Sequence, residues 1–197
     1  MRSCLTSSLG RCRVARAGLS TAIVVRAAGE LADEVGFDQL TLSALAQRLG
    51  VKQPTLYKHI DGTASLHRSM AVVAKRELAD VMRRSAVGKA GGDALRGIAQ
   101  AYRQWAVEHP GSYAATVRAP APDDDEDQAA SREALEVVVS VLGVSGLSVD
   151  EAIDATRALR AALHGFVTLE SAGGFGLPVD VNRSFAYLVD GLVRQVL

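Results

Sequence analysis

Apolar residues recur along most of the chain at intervals of three and four, which is the spacing of one face of an α-helix. In the first such segment, Ile23, Ala27 and Leu31 lie at this spacing. Ser20 before them is a common helix-capping residue, and Gly36 after them is a residue type that often ends helices. Helix formers such as Ala, Leu, Arg and Glu are plentiful, and runs of alternating β-branched residues are scarce. The pattern predicts an all-α fold.

The same periodicity, interrupted by Gly and Pro, predicts about nine helices. Their approximate bounds are residues 21–34, 42–49, 53–60, 63–86, 93–108, 110–117, 129–143, 150–171 and 180–197. The Pro-rich acidic stretch APAPDDDEDQ, residues 119–128, lies between two of them. We interpret this stretch as a solvated loop whose last acidic residues favour the start of the next helix, and we predict no charge-driven function for it.

Residues 41–60, TLSALAQRLGVKQPTLYKHI, have the spacing of a helix-turn-helix. Leu45 and Leu56 are placed to form a small core where the two helices cross, and Ala46 is small enough for their close approach. Gly50 supplies the positive φ of the turn without the steric cost of a Cβ. A structural helical hairpin is the alternative interpretation of this segment.

The exposed positions of this segment favour contact with DNA. In a helix-turn-helix the amino-terminal end of the second helix enters the major groove. Here that end carries Lys52, Gln53 and Thr55, which can contact guanine, adenine and the thymine methyl group. Phosphate contacts are expected from Thr41, Tyr57, Lys58 and His59. Each alone is as readily a solvated side chain, but their convergence on one short segment favours DNA binding.

The net charge of the chain is zero, but the charges are distributed unevenly along it. Residues 1–70 carry nine Lys or Arg and five Asp or Glu, a net charge of +4, and residues 71–197 carry −4. A basic amino-terminal part and an acidic remainder suit a DNA-binding domain attached to a body that does not touch DNA. A chance imbalance is the alternative.

Two cysteines, Cys4 and Cys12, lie near the amino terminus, and no Cys/His spacing resembles a zinc site. This usage fits a reducing cytosol, and we expect a cytoplasmic protein. The longest uncharged run, residues 137–149, is too short to span a membrane, which takes roughly 20 apolar residues. Residues 1–19 contain four Arg and no acidic residue and lack a signal-peptide core, so we interpret them as a flexible basic arm, with a transit peptide as the weaker alternative.

On these residues the sequence resembles the tetracycline-repressor (TetR) family of bacterial regulators. Residues 40–60 follow the family's helix-turn-helix nearly position by position, including a Leu-Tyr-x-His element at 56–59. The resemblance implies an all-helical homodimer with three amino-terminal DNA-binding helices and a body that binds a small inducer, and it favours repression. Ser43 stands where many members carry an Arg for base contact, and Thr63 stands near a position where members often carry a phosphate-binding Lys. We count both as candidate DNA contacts.

The second half resembles the TetR subgroup whose carboxy-terminal domain is named for Trp, His and Gly, through Trp105, His-Pro-Gly-Ser-Tyr at 109–113 and Leu-His-Gly-Phe at 163–166. We predict three regions: the arm (1–19), a helix-turn-helix domain (20–65) and a helical ligand-binding and dimerisation body (66–197). Aromatic and polar-tipped candidates for the inducer pocket are Tyr102, Trp105, His109, Tyr113, His164, Phe166 and Glu170. Core packing is the alternative for each.

No sequence feature indicates an enzyme. Paired carboxylates, a nucleophile elbow and metal-ligand spacing are missing, and the glycines of 173–176 lack the strand-to-helix context of a nucleotide-binding loop. We therefore predict no catalytic residue, no metal and no cofactor, and operator DNA, a second copy of the chain and a small-molecule inducer as partners, with no membrane. A helical protein-interaction or ligand-binding module without DNA binding is the alternative, but it would not need Gln53, Thr55, Tyr57 and Lys58 exposed together.

Overall fold

The computed structural model describes residues 18–143 and 146–196. Most of the predicted basic arm, with Cys4 and Cys12, therefore lies outside the described residues. Within them the chain forms nine α-helices and one short 3-10 helix and contains no strand, so the all-α prediction is confirmed. No helix in this part of the chain is long and apolar enough to cross a membrane.

The helices follow one another along the chain with short connections. Their bounds are α1 Thr21–Val35, α2 Leu42–Leu49, α3 Gln53–Leu56, α4 Gly62–Ala86, α5 Gly91–Glu108, α6 Pro110–Thr116, α7 Asp125–Leu142, α8 Val149–Ser171 and α9 Val181–Val196, with the 3-10 helix at Phe37–Gln39. The predicted cap of the first helix is confirmed, because the Ser20 side chain accepts a hydrogen bond from the Ile23 N–H. Gly36 ends that helix with a φ of 94°.

Two predicted bounds are wrong. The third helix ends at Leu56 rather than near residue 60, because the Lys58 and His59 N–H groups bond to carbonyls three residues back and tighten the backbone into turns. The seventh helix begins at Asp125, earlier than predicted, because the Asp124 side chain caps it by accepting from the Asp127 N–H. The last four residues of the acidic stretch, 125–128, are therefore helical and not a solvated loop.

The buried residues form two separate clusters. The first holds α1, α2, α3 and the beginning of α4, where Leu66, Met70 and Ala71 belong to it. The second fills the body and begins on α4 at Ala74. Since one continuous helix belongs to both clusters, it joins the two parts rigidly.

A second connection between the two parts is the contact of α6 with α1. A Cβ placed on Gly111 would stand 2.1 Å from the carbonyl carbon of Ala32, so only glycine allows this approach of the two backbones. The Asp33 carboxylate accepts a hydrogen bond from the Ser112 N–H at 2.8 Å, and the His109 ring lies 3.3 Å from it. The His-Pro-Gly-Ser motif is therefore the junction that holds the body against α1.

The acidic start of α7 forms a third connection, this time by charge. Arg68 of α4 donates two hydrogen bonds of 2.6 Å to Asp124. Glu126 is the partner of both Arg68 and Arg76. The carboxylates of this stretch therefore fasten α7 to α4, a structural role that the sequence did not reveal.

Candidate DNA interface and effector cavity

The helix-turn-helix is built by short-range chemistry within α2 and α3. Thr41 caps α2 by accepting from the Ala44 N–H at 3.1 Å. Gly50 ends α2 in the left-handed conformation, with a φ of 67°, and so allows the turn into α3. Leu45 and Leu56 are fully buried between the helices. Leu45, Gly50 and Leu56 thus have the roles expected of them from the sequence.

The polar residues of α3 and its following turn point away from this core. Lys52, Gln53 and Lys58 are exposed, and Thr55 is half-buried. Tyr57 is 55% exposed, so its phenol is accessible from solvent. The arrangement leaves two ammonium groups, an amide and a phenol free to meet the bases and phosphates of a DNA groove.

The remaining predicted DNA contacts lie at neighbouring helix ends. Thr41 and Ser43 are exposed at the start of α2, and Thr63 is exposed in the first turn of α4. His59 is half-buried, and its carbonyl accepts a hydrogen bond from the Thr21 hydroxyl at 3.1 Å, which joins the end of the recognition segment to α1. All nine predicted contacts are thus at least partly accessible on the amino-terminal domain.

Arg48 is a basic residue of α2 with a different role. Its guanidinium donates to Glu34 at 2.8 Å and to Glu30 at 3.3 Å, and both carboxylates belong to α1. The hydrogen bond from Arg48 also lowers the pKa of Glu34. Arg48 therefore braces α2 against α1.

The body contains a cavity of about 390 Å³ bounded by α4, α5, α7, α8 and the end of α6. Most of its wall is apolar, with Leu78, Ile98 and Leu163 among the contributors. The polar side chains of the wall are Lys75, Tyr102, Thr116, Arg118, Gln128, Ser131, Arg132, Thr156 and Arg160. An apolar hollow with a few converging polar groups is the usual form of a small-molecule site.

Three of the predicted pocket residues lie at or beside this cavity. Tyr102 belongs to its wall, and Tyr113 and His164 line an adjoining hollow of about 240 Å³. The Tyr102 and Tyr113 hydroxyls are 2.7 Å apart, and the Tyr113 hydroxyl lies 2.6 Å from His164 Nδ1. Burial raises the pKa of both phenols, so both stay neutral and act as hydrogen-bonding groups.

The other four predicted pocket residues line neither hollow. Trp105 and Phe166 are buried in the body core, where Phe166 packs against two other phenylalanines. Glu170 accepts hydrogen bonds from the buried Arg103, and His109 stands at the start of α6 beside Asp33. Each of these four residues packs against or pairs with another part of the protein, so an aromatic or polar side chain in this half of the sequence does not by itself indicate a cavity-lining residue.

The sequence analysis did not predict most of the polar residues that line the cavity, although the sequence pattern marks two of them. Lys75 precedes Leu78 by three positions and is 5% exposed, so a charged residue occupies the apolar stripe of α4. Thr156 stands in the same relation to Leu159 on α8 and is 4% exposed. Polar residues at such stripe positions need a buried partner, and for Lys75 it is Asp127, whose carboxylate lies 2.6 Å from the ammonium nitrogen.

Comparison with protein families matches both parts of the chain. Residues 24–68 match the model for bacterial regulatory proteins of the tetR family. Residues 95–192 match the model for the tetracyclin repressor-like carboxy-terminal domain. The first match contains most of the amino-terminal buried cluster, and the second contains most of the body cluster.

Similar proteins and structures agree with these matches. The uncharacterised HTH-type transcriptional regulator Rv0681 of Mycobacterium tuberculosis is 41% identical over 88% of this chain and 79% of its own length. YobS of Bacillus subtilis, also an uncharacterised HTH-type transcriptional regulator, is 33% identical over 92% and 95%. Among solved structures, a point variant of TetR from Acinetobacter baumannii AYE in complex with minocycline aligns with a TM-score of 0.70 and 25% identity, covering 90% of this chain and 96% of that one.

The fold and the similar proteins therefore indicate the same family. The fold places a helix-turn-helix with an exposed polar face on a helical body, and relatives along nearly the whole chain are helix-turn-helix transcriptional regulators. Members of this family bind operator DNA and ligands and act as dimers. The chain belongs to the tetracycline-repressor (TetR) family and is a DNA-binding transcriptional regulator.

Proposed function

We propose that the protein is a homodimeric repressor that binds an operator through residues 41–63 and is released by a small molecule entering the body cavity. The observation that carries this proposal is that two helices belong at once to the DNA-binding part and to the cavity wall. On α6, Ala115 packs in the amino-terminal core, whereas Thr116 lines the cavity. On α4, Met70 packs in that core and Lys75 lines the cavity.

A ligand in the cavity would therefore press on the same helices that position the recognition segments. Release requires that the ligand bind one arrangement of these helices more tightly than the other. A shift of α6 is transmitted directly to α1, because Gly111 and Ser112 are in contact with Ala32 and Asp33. The minocycline complex of the Acinetobacter relative supports a small-molecule effector in this body.

Within the DNA-binding part we assign different roles to different side chains. Contacts to base edges come from Lys52, Gln53 and Thr55, and a shorter-reaching one from Ser43. The contacts to phosphates come from Thr41, Tyr57, Lys58, His59 and Thr63. The division is supported by the position of Lys52, Gln53 and Thr55 at the amino-terminal end of α3, because in helix-turn-helix proteins this end of the second helix enters the groove.

The dimer interface is proposed on α8 and α9. Both helices expose apolar side chains, including Leu169 at 51% and Tyr187 at 79%, whereas Val189 and Val193 of α9 are buried in the body core. Pairing of these faces would bury the exposed apolar surface. To read adjacent half-sites, the two recognition segments of the dimer must lie roughly 34–36 Å apart, one turn of the double helix. The protein would act in the cytoplasm, and the proposal includes no catalytic role.

Selection of bound sequences from random double-stranded DNA tests the operator-binding part of the proposal. We expect a palindrome with two half-sites about one helical turn apart, and retardation of that DNA in a mobility-shift assay at low salt. Failure to retard any selected sequence would contradict the proposal.

Two variants test the division of roles. Lys58→Ala should weaken binding to all sequences and reduce the salt dependence of the affinity, because it removes one phosphate contact. Gln53→Ala should instead relax the preference at one base pair and leave the salt slope unchanged. Indistinguishable profiles for the two variants would show that the assignment of roles is wrong.

A further inference from the structure

The body cavity has an unbalanced charge. Four basic side chains line it, Lys75, Arg118, Arg132 and Arg160, and no Asp or Glu is among its described lining residues. Lys75 is already paired with Asp127. The three arginines form no ion pair with any described residue. The wall therefore presents guanidinium groups without a carboxylate to neutralise them.

Among these four basic residues, Arg160 has the widest contact with the hollow space. It lines both the cavity and the adjoining hollow, and Tyr102 and Thr116 are the other residues shared by the two. Its positive charge acts on the Tyr102 and Tyr113 phenols, where it lowers the pKa against the opposing effect of burial. Arg160 is itself exposed, so its guanidinium is accessible to a ligand arriving from solvent.

The remainder of the cavity is suited to an apolar group. Leu78, Ile98 and Leu163 are buried and supply its floor, and the Ser131 hydroxyl is buried without a hydrogen-bond partner. At roughly 30 Å³ for each water-sized group, a volume of about 390 Å³ has room for about a dozen non-hydrogen atoms. An apolar hollow of this size with a cationic rim is complementary to a molecule that is apolar at one end and negatively charged at the other.

We propose that the effector is an amphipathic organic acid whose carboxylate is held by Arg160 and whose apolar body fills the cavity between α4, α5, α7 and α8. This inference rests on the proposed function for the existence of an effector, and it adds the chemical class. A guanidinium donates two parallel hydrogen bonds to a carboxylate, and Arg118 and Arg132 add attraction at the rim. A cationic ligand would meet like charge at every basic group of the wall.

Isothermal titration calorimetry of the full-length protein tests the proposal by comparing its affinities for three probes of equal chain length. Decanoate, decan-1-ol and decylammonium share an apolar body and differ in the charge of the head group, and all are used below their micelle-forming concentrations. Decanoate should bind at least tenfold more tightly than decan-1-ol, since a hydrogen bond to a charged group adds about this factor or more. Decylammonium should bind more weakly than either.

Arg160→Gln should lower the affinity for decanoate about tenfold and leave that for decan-1-ol unchanged. The matched control is Arg84→Gln, because Arg84 is an exposed residue of α4 that is not part of either cavity wall, and it should change neither affinity. Both arginines are exposed, so the substitutions should leave the fold intact, which thermal melts will verify.

Three results would overturn the inference. They are equal or tighter binding of decan-1-ol or decylammonium, a preference for decanoate that survives Arg160→Gln, and no decanoate binding by protein that still retards its operator. The last result would refute the ligand class while leaving operator binding standing. Loss of DNA binding by the unliganded protein would instead contradict the proposed function.

Discussion

The junction between α6 and α1 provides the sharpest test of how the body controls the DNA-binding part. Gly111 of α6 lies against the backbone of α1, where a Cβ would stand 2.1 Å from the carbonyl carbon of Ala32 and 2.5 Å from the Asp33 nitrogen. Ordinary van der Waals contact begins at 3.4 Å. In a Gly111→Ala variant, α6 would therefore have to move away from α1 by roughly 1 Å or more, because the closely packed backbones leave no space for the added methyl group.

The energetic cost of this retreat has two parts. Overpacking of a closely packed contact costs about 1 to 3 kcal/mol. The retreat also stretches the 2.8 Å hydrogen bond from the Ser112 N–H to Asp33, and a bond to a charged group contributes about 1.5 to 3 kcal/mol. Because this hydrogen bond is stretched and not broken, only part of its contribution is lost. Taking about 3 kcal/mol in total, the melting temperature of a chain of this size should fall by about 6 to 12 °C.

Thermal melts and fluorescence anisotropy on the selected operator measure the two consequences. We expect the lower melting temperature together with at least tenfold weaker operator binding, because the displaced α6 no longer positions α1. The matched control is Ala114→Gln, which adds a larger side chain at an exposed position of the same helix and should leave both quantities near the parent values. Parent-like stability and affinity in Gly111→Ala would refute the reasoning.

Three further predictions concern other contacts of the fold. Lys75→Met should lower the free energy of unfolding by about 3 to 5 kcal/mol in urea, because it leaves the charge of Asp127 buried without a partner. The double variant Lys75→Met/Asp127→Leu should recover most of that loss, and an equal loss in both variants would contradict this account. Asp124→Asn should lower the melting temperature at neutral pH. The hydrogen bonds from Arg68 hold the pKa of the Asp124 carboxyl in the folded protein at about 2, against an ordinary 3.8. The stabilisation from this ion pair is therefore present above pH 3.8 and is lost as the pH falls towards 2. Melts at several pH values should show the gap between variant and parent closing over that interval, and a gap that stays open down to pH 2 would count against the Arg68 pairing. Leu56→Ala should destabilise the amino-terminal core by about 2 to 5 kcal/mol, since Leu56 is fully buried, and operator binding should disappear while the helical signal of the body persists in circular dichroism; undiminished operator binding would contradict this role of Leu56.

Much of the fold follows from chemistry that is local in the chain. A helix depends on contacts three and four residues apart and on its caps, so periodicity, together with the Ser20 cap of the first helix, was enough to predict α1 and α2. The helix-turn-helix is similarly local, because Leu45, Gly50 and Leu56 meet within a dozen residues. For the same reason, the exposed polar face of α3 could be predicted before its surroundings were known.

The cavity and the connections between the two parts depend on contacts that span the chain, and only the tertiary structure decided them. Tyr102 and Arg160 are separated by many residues and share one wall because α5 and α8 pack together. Sequence alone describes an arginine as a solvated surface residue, whereas its position opposite an apolar hollow makes it a candidate ligand contact. Gly111 likewise resembles a simple helix breaker in the sequence, and its actual role, to let two backbones touch, exists only once α6 lies on α1.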